Sequence, residues 1–222
     1  MSSLTEQDLR DYVELIGQKF GVRVVEKKTS KLMKLLSIIL FFNRGFMISY
    51  VTTIGKTVYW PDLESIWRSP SNLGTMMHET QHAHDGSRFK VIYELFYLLP
   101  QILGILAVLA FLAILLGPWW LLPLVMLLAA LPIPSWGRMF WEVRGDACGI
   151  AYRVWIAGEV RDDIYESMAK SYTTSAYYFM WPFKKNILKR LRAKEANIRA
   201  GKLTEVLRVS YEFFSSRGLV KS

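Results

Sequence analysis

Hydrophobic and polar positions change their spacing several times along the chain, and each change marks a different element. Leu9, Tyr12, Val13 and Ile16 recur at i, i+3, i+4 and i+7, the spacing of one helix face. Ser3 and Glu6 stand before them at capping-box separation, and Gly17 and Gly21 mark the end. The pattern predicts an amphipathic helix, then a short extended piece over Val22 to Val25. Lys31 to Phe42 is a denser apolar run, with Lys27, Lys28, Lys31 and Lys34 around its start. It is shorter than the ~20 apolar residues a spanning helix needs. Two placements suit it: a buried helix, or a helix in the headgroup layer with its lysines on anionic lipid. From Phe46 to Trp60 the residues turn β-branched and aromatic around Ile54-Gly55, which predicts a β-hairpin closed by Pro61. A short helix fits Leu63 to Trp67, and a polar helix is expected from Ser71 or Asn72 to Gly86.

Beyond that helix the polar positions vanish. Leu95 to Leu116 carries no charge and only Gln101 as a strongly polar residue, and Trp119 to Trp136 is a second uncharged run. Gly117-Pro118 separates them, so a transmembrane helical hairpin is expected, kinked at Pro123. Arg88 and Lys90 precede it, Arg138 and Arg144 follow it, and its turn is uncharged. The positive-inside rule then puts both ends, and the domain they belong to, on the cytoplasmic side. Helices are expected over Met139 to Gly158 and from Asp162 to about Tyr178, with an aromatic cluster over Ser175 to Phe183. From Lys184 onward eleven Lys and Arg face three Glu, and Ile187, Leu188, Leu191 and Ile198 share a helical face. This basic amphipathic region is either solvated or laid on an anionic leaflet. Four regions follow: 1–90, the hairpin at 91–137, 138–183, and the basic region at 184–222.

Composition sharpens this picture in two ways. Apolar residues make up 52% of the 222, and the formal charge is +9. Such a surface favours anionic partners, here phospholipid headgroups. Nucleic acid is not expected, because no recognised binding module accompanies the charge. Cys148 is the single cysteine, which excludes an intramolecular disulfide and any cysteine-built zinc site.

Candidate chemistry gathers in the polar helix, where His78-Glu79-Thr80-Gln81-His82 is followed by His84. Residues i and i+4 of a helix point along one face, so His78 and His82 can offer both imidazoles to one ion. Glu79 lies between them. H-E-x-x-H is the arrangement in which two histidines hold zinc and the glutamate serves as general base. The third ligand must be a carboxylate or His84. His84 lies about 200° round the helix from His82 and faces away, and Asp85 lies roughly two turns from His78. Glu142 and Asp146 suit better: they are i and i+4 on a helix after the hairpin, so Glu142 can complete a His₂Glu site while Asp146 orients a ligand histidine. Tyr172, Tyr177, Tyr178 and Arg153 are candidate oxyanion donors.

An H-E-x-x-H helix, a hydrophobic hairpin and a later Glu-x-x-x-Asp resemble the HtpX-type and CAAX-prenyl-endoprotease group of membrane zinc metallopeptidases. The resemblance runs from about Gly45 to about Lys170. It implies a mainly α chain with a small β-hairpin, a zincin-like domain of the gluzincin type interrupted by the transmembrane hairpin. It also implies zinc on His78, His82 and Glu142, with Glu79 as base and Asp146 behind a ligand. In that family the strand before the motif helix, here Lys56 to Trp60, edges the cleft and pairs with substrate backbone. The expected activity is endopeptidase action on membrane or membrane-proximal proteins at the cytoplasmic face. The alternative is a catalytically silent, membrane-anchored assembly factor that keeps the fold. Gln81 stands where the family usually has a small residue, and Gly145 where alanine is common.

Overall fold

Capping chemistry and apolar spacing at the N-terminus produce α1, Glu6–Phe20, though the cap lies two residues beyond the expected one. Thr5 Oγ1 accepts from the Asp8 N–H and the Asp8 carboxylate accepts from the Thr5 N–H, so the box is Thr5–Asp8 rather than Ser3–Glu6. The helix runs through Gly17 and stops at Gly21, whose φ of 69° suits a residue without Cβ. The computed structural model describes residues 4–39, 45–97, 134–174 and 179–221.

Among the described residues the chain is mainly helical with one small three-stranded sheet. After α1 come β1 (Arg23–Glu26), a 3₁₀ turn (Lys27–Thr29), α2 (Lys31–Ile39), β2 (Thr52–Ile54), β3 (Thr57–Trp60), α3 (Leu63–Trp67) and α4 (Asn72–Phe89). A helical stretch covers 91–97. Then follow α5 (Trp136–Ile156), α6 (Asp162–Thr173), α7 (Lys184–Arg199) and α8 (Glu205–Ser216). The expected hairpin is β2–β3, paired from Thr52↔Tyr59 to Ile54↔Thr57, and Gly55 takes φ 58° at its turn. The sheet order is β1-β3-β2, with β1 parallel to β3 from Arg23↔Thr57 to Glu26↔Trp60. The central strand is therefore β3, which corrects the expectation that Lys56 to Trp60 forms an edge. Its backbone is bonded on both sides, and the edge beside it is β2. The strand is also shorter than Phe46 to Thr53: Ile48, Ser49 and Tyr50 donate to the Gly45 carbonyl in a turn.

Contacts divide the chain into two compact units. The first holds residues up to Arg88, Arg144–Val160 and Ala193–Ser222. Its core is built from Leu9, Tyr12 and Ile16 of α1, Val58 and Trp60 of β3, Leu73, Met76 and Met77 of α4, and Val206 and Phe214 of α8. The Tyr12 hydroxyl meets Ser210 Oγ at 2.8 Å, so its burial leaves no unsatisfied phenol. The second holds the described residues of Phe89–Val143 and Arg161–Arg192. Met139, Tyr165, Ala169, Tyr172, Ile187 and Leu191 are buried there. The apolar face of α7 is thus occupied by the protein itself at Ile187 and Leu191.

Of the two placements open to Lys31 to Phe42, the described part does not take the buried one. Among the described side chains of α2 only Met33 is buried, while Leu32, Leu35 and Ile38 are exposed by 42%, 56% and 70%. Lys27, read from sequence as part of a basic flank, is fully buried instead. Its ammonium donates to the Phe46 and Tyr50 carbonyls at 2.7 and 2.6 Å and lies 4.2 Å from the Phe46 ring centroid. Burial pulls its pKa down to about 8.

The expectation of an integral-membrane, multi-pass chain with a cytoplasmic-side domain is corrected. Among the described residues no helix is long and apolar enough to cross a membrane. The physical reason is charge: α5 is long, at 21 residues, but carries Arg138, Glu142, Arg144, Asp146 and Arg153. Most of the two uncharged runs, 98–133, lies outside the described residues.

Candidate metal centre

Two short helical spacings and one glycine build the site. Helix α4 begins at Asn72, as its cap residues predict, and is anchored there by Asn72 Nδ2 donating to the Ser65 and Ile66 carbonyls. It buries Glu79, Thr80, Gln81, His82 and Asp85, an unusual load of polar groups for one helix. The four-residue step brings His78 and His82 together, with their Nε2 atoms 2.9 Å apart and the rings at 75°.

Helix α5 supplies the opposite wall. A Cβ at Gly145 would lie 2.7 Å from His78 Cε1 and 2.8 Å from its Nε2. The imidazole therefore rests on bare helix backbone, and a Cβ at this position would force the ring to shift. The next residue, Asp146, places Oδ1 3.4 Å from His78 Nδ1. That is the position from which a carboxylate sets the tautomer of a ligating imidazole and frees Nε2 for an ion. One turn earlier on the same helix, Glu142 is buried at 2% exposure. One ligand atom from each of His78, His82 and Glu142 lies within 4.8 Å of the others. Glu142 Oε1 accepts from the Tyr97 hydroxyl at 2.5 Å and has Arg138 Nε at 3.9 Å.

A buried ion pair ties the two helices of the site together. Arg144 donates from Nε and an Nη to the two carboxylate oxygens of Asp85, each at 2.8 Å. Those bonds hold the guanidinium above its ordinary pKa, so it stays charged. Sequence spacing put Asp85 on the His78 stripe but out of reach of an ion; its partner is Arg144, 59 residues away. Nothing local signals such a pair, although an arginine between two site carboxylates was visible.

Glu79 points at the sheet. Its Oε2 accepts from Thr53 Oγ1 of β2 at 2.6 Å, which places the edge strand beside the motif glutamate. His84 leaves the site as expected: its Nε2 is 3.6 Å from Glu205 and its ring lies edge-on to Phe20. Gln81 also turns away, accepting from Thr204 Oγ1 at 2.8 Å, and its Nε2 is buried with no hydrogen-bond partner among the described residues. Of the candidate oxyanion donors, Arg153 donates to the Gly149 carbonyl of its own helix and Tyr172 is completely buried. Tyr177 and Tyr178 lie outside the described residues. Cys148 is buried, and burial pushes its thiol well above the ordinary range, so it is an inert neighbour.

The donor set fits a metal ion. It offers two imidazole nitrogens and one carboxylate, with a second carboxylate behind one imidazole and a helix wall shaved to glycine against it. A His-His-Glu cluster of this kind can hold a metal. No protein-family model, curated protein or solved structure matches the chain.

Proposed function

We propose that this protein is a zinc-dependent endopeptidase with a gluzincin-type site on a zincin-like fold, in keeping with its resemblance to the HtpX-type group. The supporting observation is the convergence of ligand atoms of His78, His82 and Glu142 within 4.8 Å, with Glu79 between the two histidines in sequence and buried beside β2. Two imidazoles and one carboxylate are the ligands that zinc takes in hydrolytic sites. When bound, zinc supplies Lewis-acid polarisation of the scissile carbonyl and acidifies a water.

The chain's own residues do the rest. Asp146 holds the His78 ring in the orientation that keeps Nε2 as a ligand atom. Glu79 takes a proton from the attacking water and delivers it to the leaving amine. Thr53 holds Oε2 of that carboxylate, and Oε1 carries no hydrogen bond among the described residues, so it is available for the proton. The substrate is a protein segment in extended form. β2 has β3 on one side and no other strand on its far side among the described residues, so its edge can pair with peptide backbone next to Glu79.

The test is Glu79→Gln, which keeps shape and removes basicity. Peptide hydrolysis should fall about 10²–10⁴-fold while zinc content stays at the wild-type level. A wild type that binds zinc yet cleaves no peptide in a broad library, matching the Glu79→Gln protein, would favour the silent assembly factor instead.

A further inference from the structure

The geometry points to Tyr97 as a positioning residue for the third metal ligand, acting through Glu142 and touching neither ion nor substrate. This inference rests on the metal-site reading. The Tyr97 hydroxyl donates to Glu142 Oε1 at 2.5 Å, across 45 residues of sequence. A phenol is protonated near neutrality, and a hydrogen bond to an ionised carboxylate is among the stronger kinds.

The tyrosine is held in place by several independent contacts of the same unit. Its ring stacks on Tyr93 with centroids 5.5 Å apart at 17°, and Tyr93 lies 5.0 Å from Trp141, the residue before Glu142. The Arg138 guanidinium sits 5.2 Å from the Tyr97 ring centroid. The helical stretch carrying these tyrosines is seated unusually close to α5. A Cβ at Gly137 would meet Phe96 Cβ at 2.7 Å and the Phe96 carbonyl oxygen at 2.9 Å. Backbone thus approaches backbone at Gly137, five residues before Glu142 on which the Tyr97 hydroxyl docks, and only glycine permits it.

The consequence concerns how the carboxylate presents itself. A carboxylate has two oxygens and a freely turning end group, so an unrestrained glutamate can offer one oxygen, both or neither. A donor fixed on Oε1 restricts that freedom and sets the plane in which the carboxylate faces the two imidazoles. Hydrogen bonds of this kind behind metal ligands typically contribute 10–100-fold in affinity. The brace on α5 therefore mirrors the Asp146 contact on His78: one partner orients an imidazole, the other a carboxylate.

The experiment is titration of metal-stripped protein with Co²⁺, read by visible d–d absorption and by competition with a chelator. Tyr97→Phe keeps the stacked ring and removes only the hydroxyl. It should weaken Co²⁺ binding about 10–100-fold and alter the d–d spectrum, with the far-UV circular dichroism unchanged. Gly137→Ala, which must displace Phe96 and Tyr97 together, should weaken binding in the same direction. Tyr97→Phe protein that binds Co²⁺ as tightly as wild type with the same spectrum, or more tightly, overturns the role of Tyr97. His82→Ala separates the levels: it must abolish binding. If wild type takes up no Co²⁺, or His82→Ala binds it equally well, the metal site fails and the Tyr97 proposal fails with it.

Discussion

Helices α4 and α2 belong to the same unit, yet they depart from the usual distribution of residues in opposite directions. α4 buries Glu79, Thr80, Gln81, His82 and Asp85, whereas α2 turns Leu32, Leu35 and Ile38 outward. The two departures differ in meaning. Single apolar side chains on a surface are ordinary. A buried polar group without a partner loses about 1–3 kcal/mol, so a helix that buries five of them persists only if the fold supplies partners. α4 has them in Thr53 for Glu79, the Met76 carbonyl for Thr80, Thr204 for the side-chain oxygen of Gln81, His78 for His82 and Arg144 for Asp85. Those partners come from the sheet, from α4 itself, from α5 and from the residue capping α8. The polar interior of α4 is the feature that organises the unit, and the apolar exterior of α2 is incidental to it.

Removing one partner should show the contrast most strongly. Asp85→Ala leaves the Arg144 guanidinium partly buried without its carboxylate. The expected loss in urea unfolding is about 3 kcal/mol, the low end for breaking a buried pair because Arg144 keeps 21% of its side chain exposed. A loss well under 1 kcal/mol would mean that the pair does not brace α4 against α5.

A pH-dependent effect is expected at Lys27, the buried cation just before α2. Its folded pKa of about 8 lies below the ordinary 10.5. Between those values the unfolded chain binds the extra proton, so stability rises with pH there. The destabilisation from burying the charge is fully present below about pH 8 and is relieved by pH 10.5. Unfolding free energies of wild type and Lys27→Met, compared across that range, should move in favour of wild type. A constant difference would contradict the burial of the ammonium.

The smallest effect belongs to α2. Ile38→Ser should change stability by no more than about 0.5 kcal/mol, since the side chain is 70% exposed. A loss above 2 kcal/mol would show that this face is covered.

What the sequence revealed follows the range of the forces involved. The start of α4 at Asn72, the shared face of His78 and His82, and the paired spacing of Glu142 and Asp146 are local, set by helix period and caps. The identity of the edge strand is not local: strand propensity marked Lys56 to Trp60, but only the pairing of β1 with β3 makes that segment central. Likewise, the hydroxyls of Thr53 and Tyr97 and the Asp85–Arg144 pair depend on neighbours 26, 45 and 59 residues away. The role of Gly145, with the His78 imidazole against its Cα, needed coordinates.

Equilibrium dialysis against zinc tests the central claim most directly, using wild type and the single variants His78→Ala, His82→Ala and Glu142→Ala. The prediction is one zinc per wild-type chain and strongly weakened binding in all three variants, with Glu142→Ala affected although it lies sixty residues from the motif. Sub-stoichiometric zinc in the wild type, or a Glu142→Ala protein that holds zinc as tightly as wild type, would contradict it.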